Sequence, residues 1–381
     1  AEIEAIRKEF LYWYPLDSRH SAGDLIHNHL TFLVFNHVAI FPQELWPRQT
    51  VTNGFVLMEG SKMSKSMGNI LPLREAIRKY GADIVRFSVV SGAELSADSD
   101  FNQAMADGVA SRIAWMMALI RENADATGSE EKRSIDRWLL SKLNRKIRNS
   151  TSNFATLSLR EVLQEAFYNS INELKWYFRR TGGKGNPEVI SGYLRNWVLL
   201  MAPFTPHVAE ELWELLKGEG FVSTAKWPSA DEKLIDERAE FAEEIVARII
   251  DDIGNIVKLT GKKPSRISLF IAEEWKRKAY SIVREEKRAD LAIKRAMADA
   301  ELKAKAKEVT KLIPLLAKDL GSLSPLVLNA EEELNALSDA AEFLGREFGA
   351  EVSVKMEGMA EGEAGKKAAN AKPMKPSIFL E

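Results

Sequence analysis

The chain has 381 residues and a formal net charge of −2, from 53 Lys and Arg against 55 Asp and Glu, so a nucleic-acid surface can only be a local patch. With 45% hydrophobic and 28% charged residues it can bury cores of its own, and its length suits about two to four domains. The absence of cysteine excludes disulfides and Cys-based zinc sites within the chain, and neither a long uncharged apolar run nor a signal-type apolar region at Ala1-Glu2-Ile3-Glu4 marks a membrane or secretory route, which fits a cytoplasmic protein.

In chain order, Leu25, Ile26, Leu30, Leu33, Val34 and Val38 form an apolar stripe on a helix expected from Asp24 to Ile40. The run Val51–Leu57 centred on Asn53-Gly54 predicts a β-hairpin, because Asn-Gly accepts the positive φ of a type I′ turn. A loop rich in Gly, Ser and Lys follows, then a helix from about Leu73 to Lys79 that Gly81 ends with a left-handed cap. Asp83 and Arg86 predict a pair on one helical face. From about Phe101 to Leu216 successive amphipathic patterns predict an antiparallel helical bundle. One stripe is Ile135, Trp138, Leu139, Leu143 and Ile147; another is Leu159, Val162, Leu163, Ala166, Phe167, Ile171 and Leu174. Trp176 to Arg180 reads as core aromatics beside a solvated Arg pair, with an RNA surface as the alternative. Thr205-Pro206 reads as an N-cap followed by Pro at the first helical position, with Phe204 and Trp213 as core.

The pattern breaks near Trp227-Pro228. From about Asp231 a small α+β domain is expected. It opens with a helix carrying Ile245, Ile249, Ile253 and Ile256, followed by a strand with Ile267, Leu269 and Ile271 alternating. Two or three helices follow, then a helix over about 330–348 and strands over 352–356 and 377–380. The stretch Glu357–Lys372, rich in Gly, Ala and Lys, reads as a flexible loop.

The stretch Gly60-Ser61-Lys62-Met63-Ser64-Lys65-Ser66-Met67-Gly68-Asn69 carries the most chemistry. It sets Lys62 and Lys65 three apart among small residues. Small residues let the backbone approach phosphates, and the ammonium groups supply charge. On a loop that closes, such lysines can stabilise the charge that builds on a departing pyrophosphate. For any loop with two lysines the plain alternative is a solvated basic tip.

The full string resembles the signature of class I aminoacyl-tRNA synthetases. Together with Tyr14–Leu30 and Pro203–Trp213 it makes nearly the whole chain resemble leucyl-tRNA synthetases of the archaeal and eukaryotic-cytosolic type. The resemblance implies a multidomain protein: the C-terminal part of an α/β Rossmann-type catalytic domain over 1–58, the lysine loop and a connecting helical segment over 59–104, an anticodon-binding-type helical bundle over 105–230, and a C-terminal α+β tRNA-binding domain over 231–381. It implies ATP-dependent activation of leucine and transfer to tRNA(Leu), with Mg2+ accompanying ATP. Lys62 and Lys65 take the places of the catalytic lysines, Lys65 foremost, and Ser64 and Ser66 shape the loop or donate to phosphate. Asp24 takes the place of a carboxylate that accepts from the ribose hydroxyls; its alternative is to cap the helix it opens. Ala22 stands where the family has glycine, and His27 where it has proline.

The basic stretch Lys276–Lys311 holds twice as many cations as acids, which suits a phosphate backbone; Lys287, Arg288, Lys294 and Arg295 are its candidate tRNA contacts. Alternating charges on a solvated helix are the alternative. The spacing of His20, His27, His29 and His37 does not suit a shared ion, so no metal ligands are assigned. A His-Ile-Gly-His-type motif, the first catalytic half and an editing insertion are not found. The expected partners are therefore tRNA(Leu), ATP, leucine and an N-terminal catalytic half, in the same polypeptide or a separate subunit. The start at Ala1 fits a removed initiator, a piece of a longer protein or one chain of a split enzyme. A valyl or isoleucyl fragment and a non-catalytic tRNA-binding module remain as alternatives.

Overall fold

The computed structural model describes residues 2–381 apart from Ser129 and Lys262. The chain forms two compact units, one from residues 1–127, 146–173 and 190–230, the other from 128–145, 174–189 and 231–381.

In the first unit, α1 (Glu2–Trp13) precedes β1 (Arg19–Ala22). A 3-10 turn over Gly23–Leu25, a π turn over Ile26–Leu30 and α2 (Thr31–Ile40) lead to β2 (Thr50–Asn53), which pairs with β1 in parallel. This is the crossover geometry of an α/β sheet. Of the stripe expected to pack one face of the helix only Leu30 is buried; Leu25 and Leu33 are half-buried, and Ile26, Val34 and Val38 are exposed.

The hairpin expected at Asn53-Gly54 does not form. β2 belongs to β1, while β3 (Val56–Met58) pairs in parallel with β5 (Ser99–Phe101) and antiparallel with β4 (Ser61–Lys62). Gly54 serves close approach instead, since a Cβ there would lie 2.3 Å from the Ala97 carbonyl oxygen. The tight hairpin is one turn later, where Glu59 (φ 51°) and Gly60 (φ 76°) supply the two positive φ angles between Met58 and Ser61.

Helices α3 (Leu73–Tyr80) and α4 (Ala82–Gly92) meet at Gly81, whose φ of 87° and ψ of 155° depart from the left-handed cap expected. Ala76, Val85, Phe101 and Ala106 form a small core beneath them. Asp83 and Arg86 do not pair. Asp83, only 5% exposed, turns to the start of a later helix, and Arg86 donates to the Pro203 carbonyl.

Asn102 caps α5 (Gln103–Asn123) by accepting from Met105 N–H at 2.8 Å. α6 (Ser134–Ala155), α7 (Leu159–Leu163), a π turn to Asn169, α8 (Ser170–Thr181), α9 (Pro187–Met201) and α10 (Pro206–Leu215) follow. Their two apolar stripes are buried except for Leu159, as are Phe204 and Trp213. Thr205 is the N-cap residue of α10, but its hydroxyl donates back to Met201 O rather than capping. Within the second unit Arg180 is not solvated: it is buried against Glu243, which also accepts from Trp176.

The second unit carries α11 (Glu237–Thr260), capped by Asp236, and a three-stranded sheet with β6 (Arg266–Ile271) at its centre. The expected two or three helices resolve into α12 (Glu274–Glu286), α13 (Ala289–Ala296), α14 (Ala300–Ala304) and α15 (Ala306–Ala317). Next is α16 (Ala330–Phe348), with a capping box at Asn329 and Glu332. β7 (Glu351–Met356) is parallel to β6 and β8 (Ser377–Leu380) antiparallel to it. Ile245, Ile249, Ile253, Ile267, Leu269, Ile271, Leu337 and Leu344 share one core.

Residues 357–372 are not a loose loop. They include α17 (Gly362–Ala368), and the buried Lys276 ammonium bonds Glu357 and the carbonyls of Ala369 and Ala371. Burying that ammonium requires such partners, so the stretch is pinned to α12.

Candidate functional site

The lysine loop grows from the β3–β4 hairpin. Asp100, on the neighbouring strand, accepts from Gly60 N–H at 2.6 Å and so anchors the hairpin turn. Beyond Lys62 the chain folds back on itself. Ser64 N–H donates to Asn69 Oδ1 at 2.9 Å, and Asn69 Nδ2 donates to Lys62 O at 3.2 Å. Met67 N–H reaches Ser64 O and Gly68 N–H reaches Lys65 O, with Gly68 at φ 68°. The hydroxyl oxygens of Ser64 and Ser66 lie 2.7 Å apart. Met63 points down, lining an apolar cavity of about 180 Å3 with Met58, Leu71, Val85 and Phe101.

The two lysines are treated differently. Lys62 Nζ lies 4.2 Å from the centroid of the Phe55 ring, a cation–π contact worth about 0.5–1 kcal/mol at an exposed position. The Lys65 side chain is exposed, and its ammonium has no hydrogen-bond or ion-pair partner among the described residues. The loop thus brings Lys62, Ser64, Lys65 and Ser66 together and leaves one ammonium free to meet a polyphosphate.

Asp24 lies on the other small sheet of this unit, in the 3-10 turn that follows β1. That is the carboxyl end of a parallel pair, where open α/β sheets bind ligands. Asp24 is exposed and caps neither of the turns beside it, whose cap residues are Ala22 and Leu25, so the capping alternative does not hold. A Cβ on Gly23 would meet only the Asn53 carbonyl oxygen, at 3.9 Å. Two of the histidines are engaged locally: His29 Nε2 lies 3.2 Å from Arg19 Nη2, and His37 bonds Tyr14 and Leu33 O. Among the described residues no three His, Asp or Glu converge as metal ligands.

In the second unit the basic stretch divides into buried, paired and free cations. Lys276 and Arg277 are buried, Arg277 against Glu333. Arg288 makes a two-point contact with Asp290, and hydrogen bonds from Arg288 hold that carboxyl below its usual range. Arg295 bridges Glu286 and Glu285, and those bonds push its own proton affinity up. Lys287, at the left-handed end of α12, and Lys294 are exposed, and their ammonium groups have no partner among the described residues. The ammonium groups of Lys303, Lys307, Lys311 and Lys318 are likewise exposed and unpaired among the described residues. The i,i+4 spacing of Lys307 and Lys311 puts them on one face of α15, a signal that counting charges along the stretch does not isolate.

Two families match parts of the chain: one described as "tRNA synthetases class I (M)" over residues 10–113, the other as "Anticodon-binding domain of tRNA ligase" over residues 136–273. The chain is 40% identical over 385 residues to the leucine–tRNA ligase of Pyrococcus abyssi, covering 100% of this chain and 39% of that protein. It is 41% identical over 386 residues to that of Methanothrix thermoacetophila, covering 100% and 40%, and 40% identical over 383 residues to that of Methanocaldococcus jannaschii, covering 100% and 39%. The chain therefore spans about two fifths of the length of these relatives. Its fold also resembles the agnB2 LeuRS of Agrobacterium radiobacter K84, solved as a ternary complex with tRNA and LeuAMS. The TM-score is 0.51 over 58% of this chain and 29% of that one, at 24% identity.

Proposed function

We propose that this chain, homologous along its whole length to leucine–tRNA ligases, supplies the pyrophosphate-handling loop and tRNA-binding segments of an enzyme that activates leucine with ATP and passes it to tRNA(Leu). The observation that carries this reading is the closed loop with its free Lys65. When leucine's carboxylate attacks the α-phosphorus of ATP, negative charge grows on the departing pyrophosphate. An ammonium with no competing partner can move onto that charge, and Lys62 can follow by leaving the Phe55 ring. Ser64 and Ser66 shape the turn and can donate to phosphate oxygens. Asp24, uncommitted at the end of β1, can accept from the two ribose hydroxyls. Mg2+ would arrive with ATP and share the same charge.

Residues 1–58 then act as the C-terminal part of a Rossmann-type catalytic domain, 59–104 as the loop and connection, 105–230 as the bundle, and 231–381 as the tRNA-binding domain. The exposed apolar side chains Tyr12, Trp13, Phe32, Phe35 and Ile40 suit coverage by the remaining catalytic half, which would also carry the leucine pocket. In the tRNA-binding domain Lys287 and Lys294 are better phosphate contacts than the paired Arg288 and Arg295. The whole reading suits a cytoplasmic enzyme; among the described residues no helix is long and apolar enough to cross a membrane. The relatives are named for leucine, which favours it over the valyl or isoleucyl alternative.

The test is leucine-dependent ATP–pyrophosphate exchange by this chain, with and without the complementary catalytic half. Exchange is expected only with both. Robust exchange by the chain alone, or none by the pair, would overturn the reading.

A further inference from the structure

We infer that Asn69 is a positioning residue for adenylate formation: its side chain closes the lysine loop and thereby sets where Lys65 stands. The inference rests on the activity proposed above. A single amide group supplies both halves of the closure, its oxygen accepting from Ser64 N–H at 2.9 Å and its nitrogen donating to Lys62 O at 3.2 Å. These bonds join the strand end that carries the first lysine to the bend that carries the second. The hydroxyl pair of Ser64 and Ser66 is local to the bend, and Met63 points away into the apolar cavity. Asp100 anchors the hairpin turn through Gly60. The hairpin and the bend are thus held separately, and the Asn69 side chain joins them. Half-buried itself, it leaves Lys65 outside the closure and unpaired.

Stabilising developing charge depends on having the donor already in place, and a misplacement of about 1 Å can cost on the order of 10²-fold in rate. ATP already bound in the ground state has less need of Lys65 at that point. Loss of the clasp should therefore fall on kcat more than on the KM for ATP.

The experiment has two arms. In the first, amide hydrogen exchange at Ser64 is followed in this chain. Asn69→Ala should speed it about tenfold or more, and Asn69→Asp, which keeps the acceptor, should speed it less. Unchanged exchange in Asn69→Ala would overturn the clasp. In the second, pyrophosphate exchange is measured with the chain and its complementary half. Asn69→Ala should lower kcat about tenfold or more with the KM for ATP within about twofold, and Asn69→Asp should fall between it and the parent. An unchanged kcat, or a loss confined to KM, would overturn the positioning role. Should the unsubstituted pair fail to exchange, the proposed activity falls, while the first arm still decides the clasp.

Discussion

The Asp83 carboxylate accepts from the Val208 N–H at 2.7 Å and lies 2.8 Å from His207 Nδ1, so a residue on α4 caps α10 from 125 positions away. Pro206 at the helix start already lacks a donor, and Asp83 takes one of the remaining orphan N–H groups. Asp83→Ala should lower stability by about 1–2 kcal/mol, the usual scale for a lost N-cap, while Asp83→Asn should recover part of it. Denaturant midpoints of the three proteins at one temperature decide this. Because His207 is largely exposed, His207→Ala should cost much less.

Lys65→Ala, assayed with the complementary half, should slow adenylate formation by about 10²–10³-fold with little change in leucine affinity. Lys62→Ala should have a smaller effect, because that ammonium must first leave the Phe55 ring. Single-turnover rates beside equilibrium leucine binding separate the two terms. An unchanged rate in Lys65→Ala would reduce the loop to a basic surface feature.

For tRNA, the free cations should matter more than the paired ones. Binding of leucine tRNA across a salt series should weaken steeply as salt rises. Each substitution of Lys287, Lys294, Lys307 or Lys311 by Glu should reduce that slope by roughly 1 or more. Arg288→Ala and Arg295→Ala should change it less, since each guanidinium is already engaged by carboxylates. An anticodon-swapped tRNA should bind like the parent, and one lacking the long arm more weakly. The opposite order would contradict the leucine assignment.

Arg277 and Glu333 form a pair that is 2% and 0% exposed, and Glu333 also accepts from Met374 N–H. Removing one partner strands the other, so Arg277→Met should destabilise the second unit by about 3–5 kcal/mol. A double change, Arg277→Met with Glu333→Leu, should recover much of that loss. Thermal unfolding of the single and double variants measures the coupling.

A hydrogen bond from Arg238 holds the Glu332 carboxyl below the usual glutamate range. A carboxyl depressed in the folded state adds stability above its unfolded value, about 4.3, and loses it as pH falls through the folded value. Glu332→Gln should therefore lower stability at pH 7 and converge on the parent in acid. The amide oxygen can still accept from Asn329 N–H, so the helix cap survives and the difference reports charge. Denaturation midpoints between pH 2 and 7 trace it.

Local pattern was enough for much of this molecule. The 3.6-residue stripes over 135–147 and 159–174 give buried helix faces because side-chain direction repeats with the backbone. The helix over 330–348 and the alternation at Ile267, Leu269 and Ile271 were legible for the same reason. So was the loop with Lys62 and Lys65, since a run of Gly, Ser and Lys disfavours regular structure and the chain there folds back on itself. Pairing between distant segments was not legible. Asn53-Gly54 has the composition of a hairpin turn, yet β2 pairs with β1 and β3 with β5, and only the crowding at Ala97 shows why residue 54 is glycine. Asp83 sits three residues before Arg86, but an orphan backbone N–H and a histidine ring at a remote helix start compete for it and win. The run of cations from Lys276 to Lys311 looks uniform in sequence. The tertiary structure buries two, pairs several with carboxylates and leaves others free, because each charge takes the nearest partner that packing brings within reach.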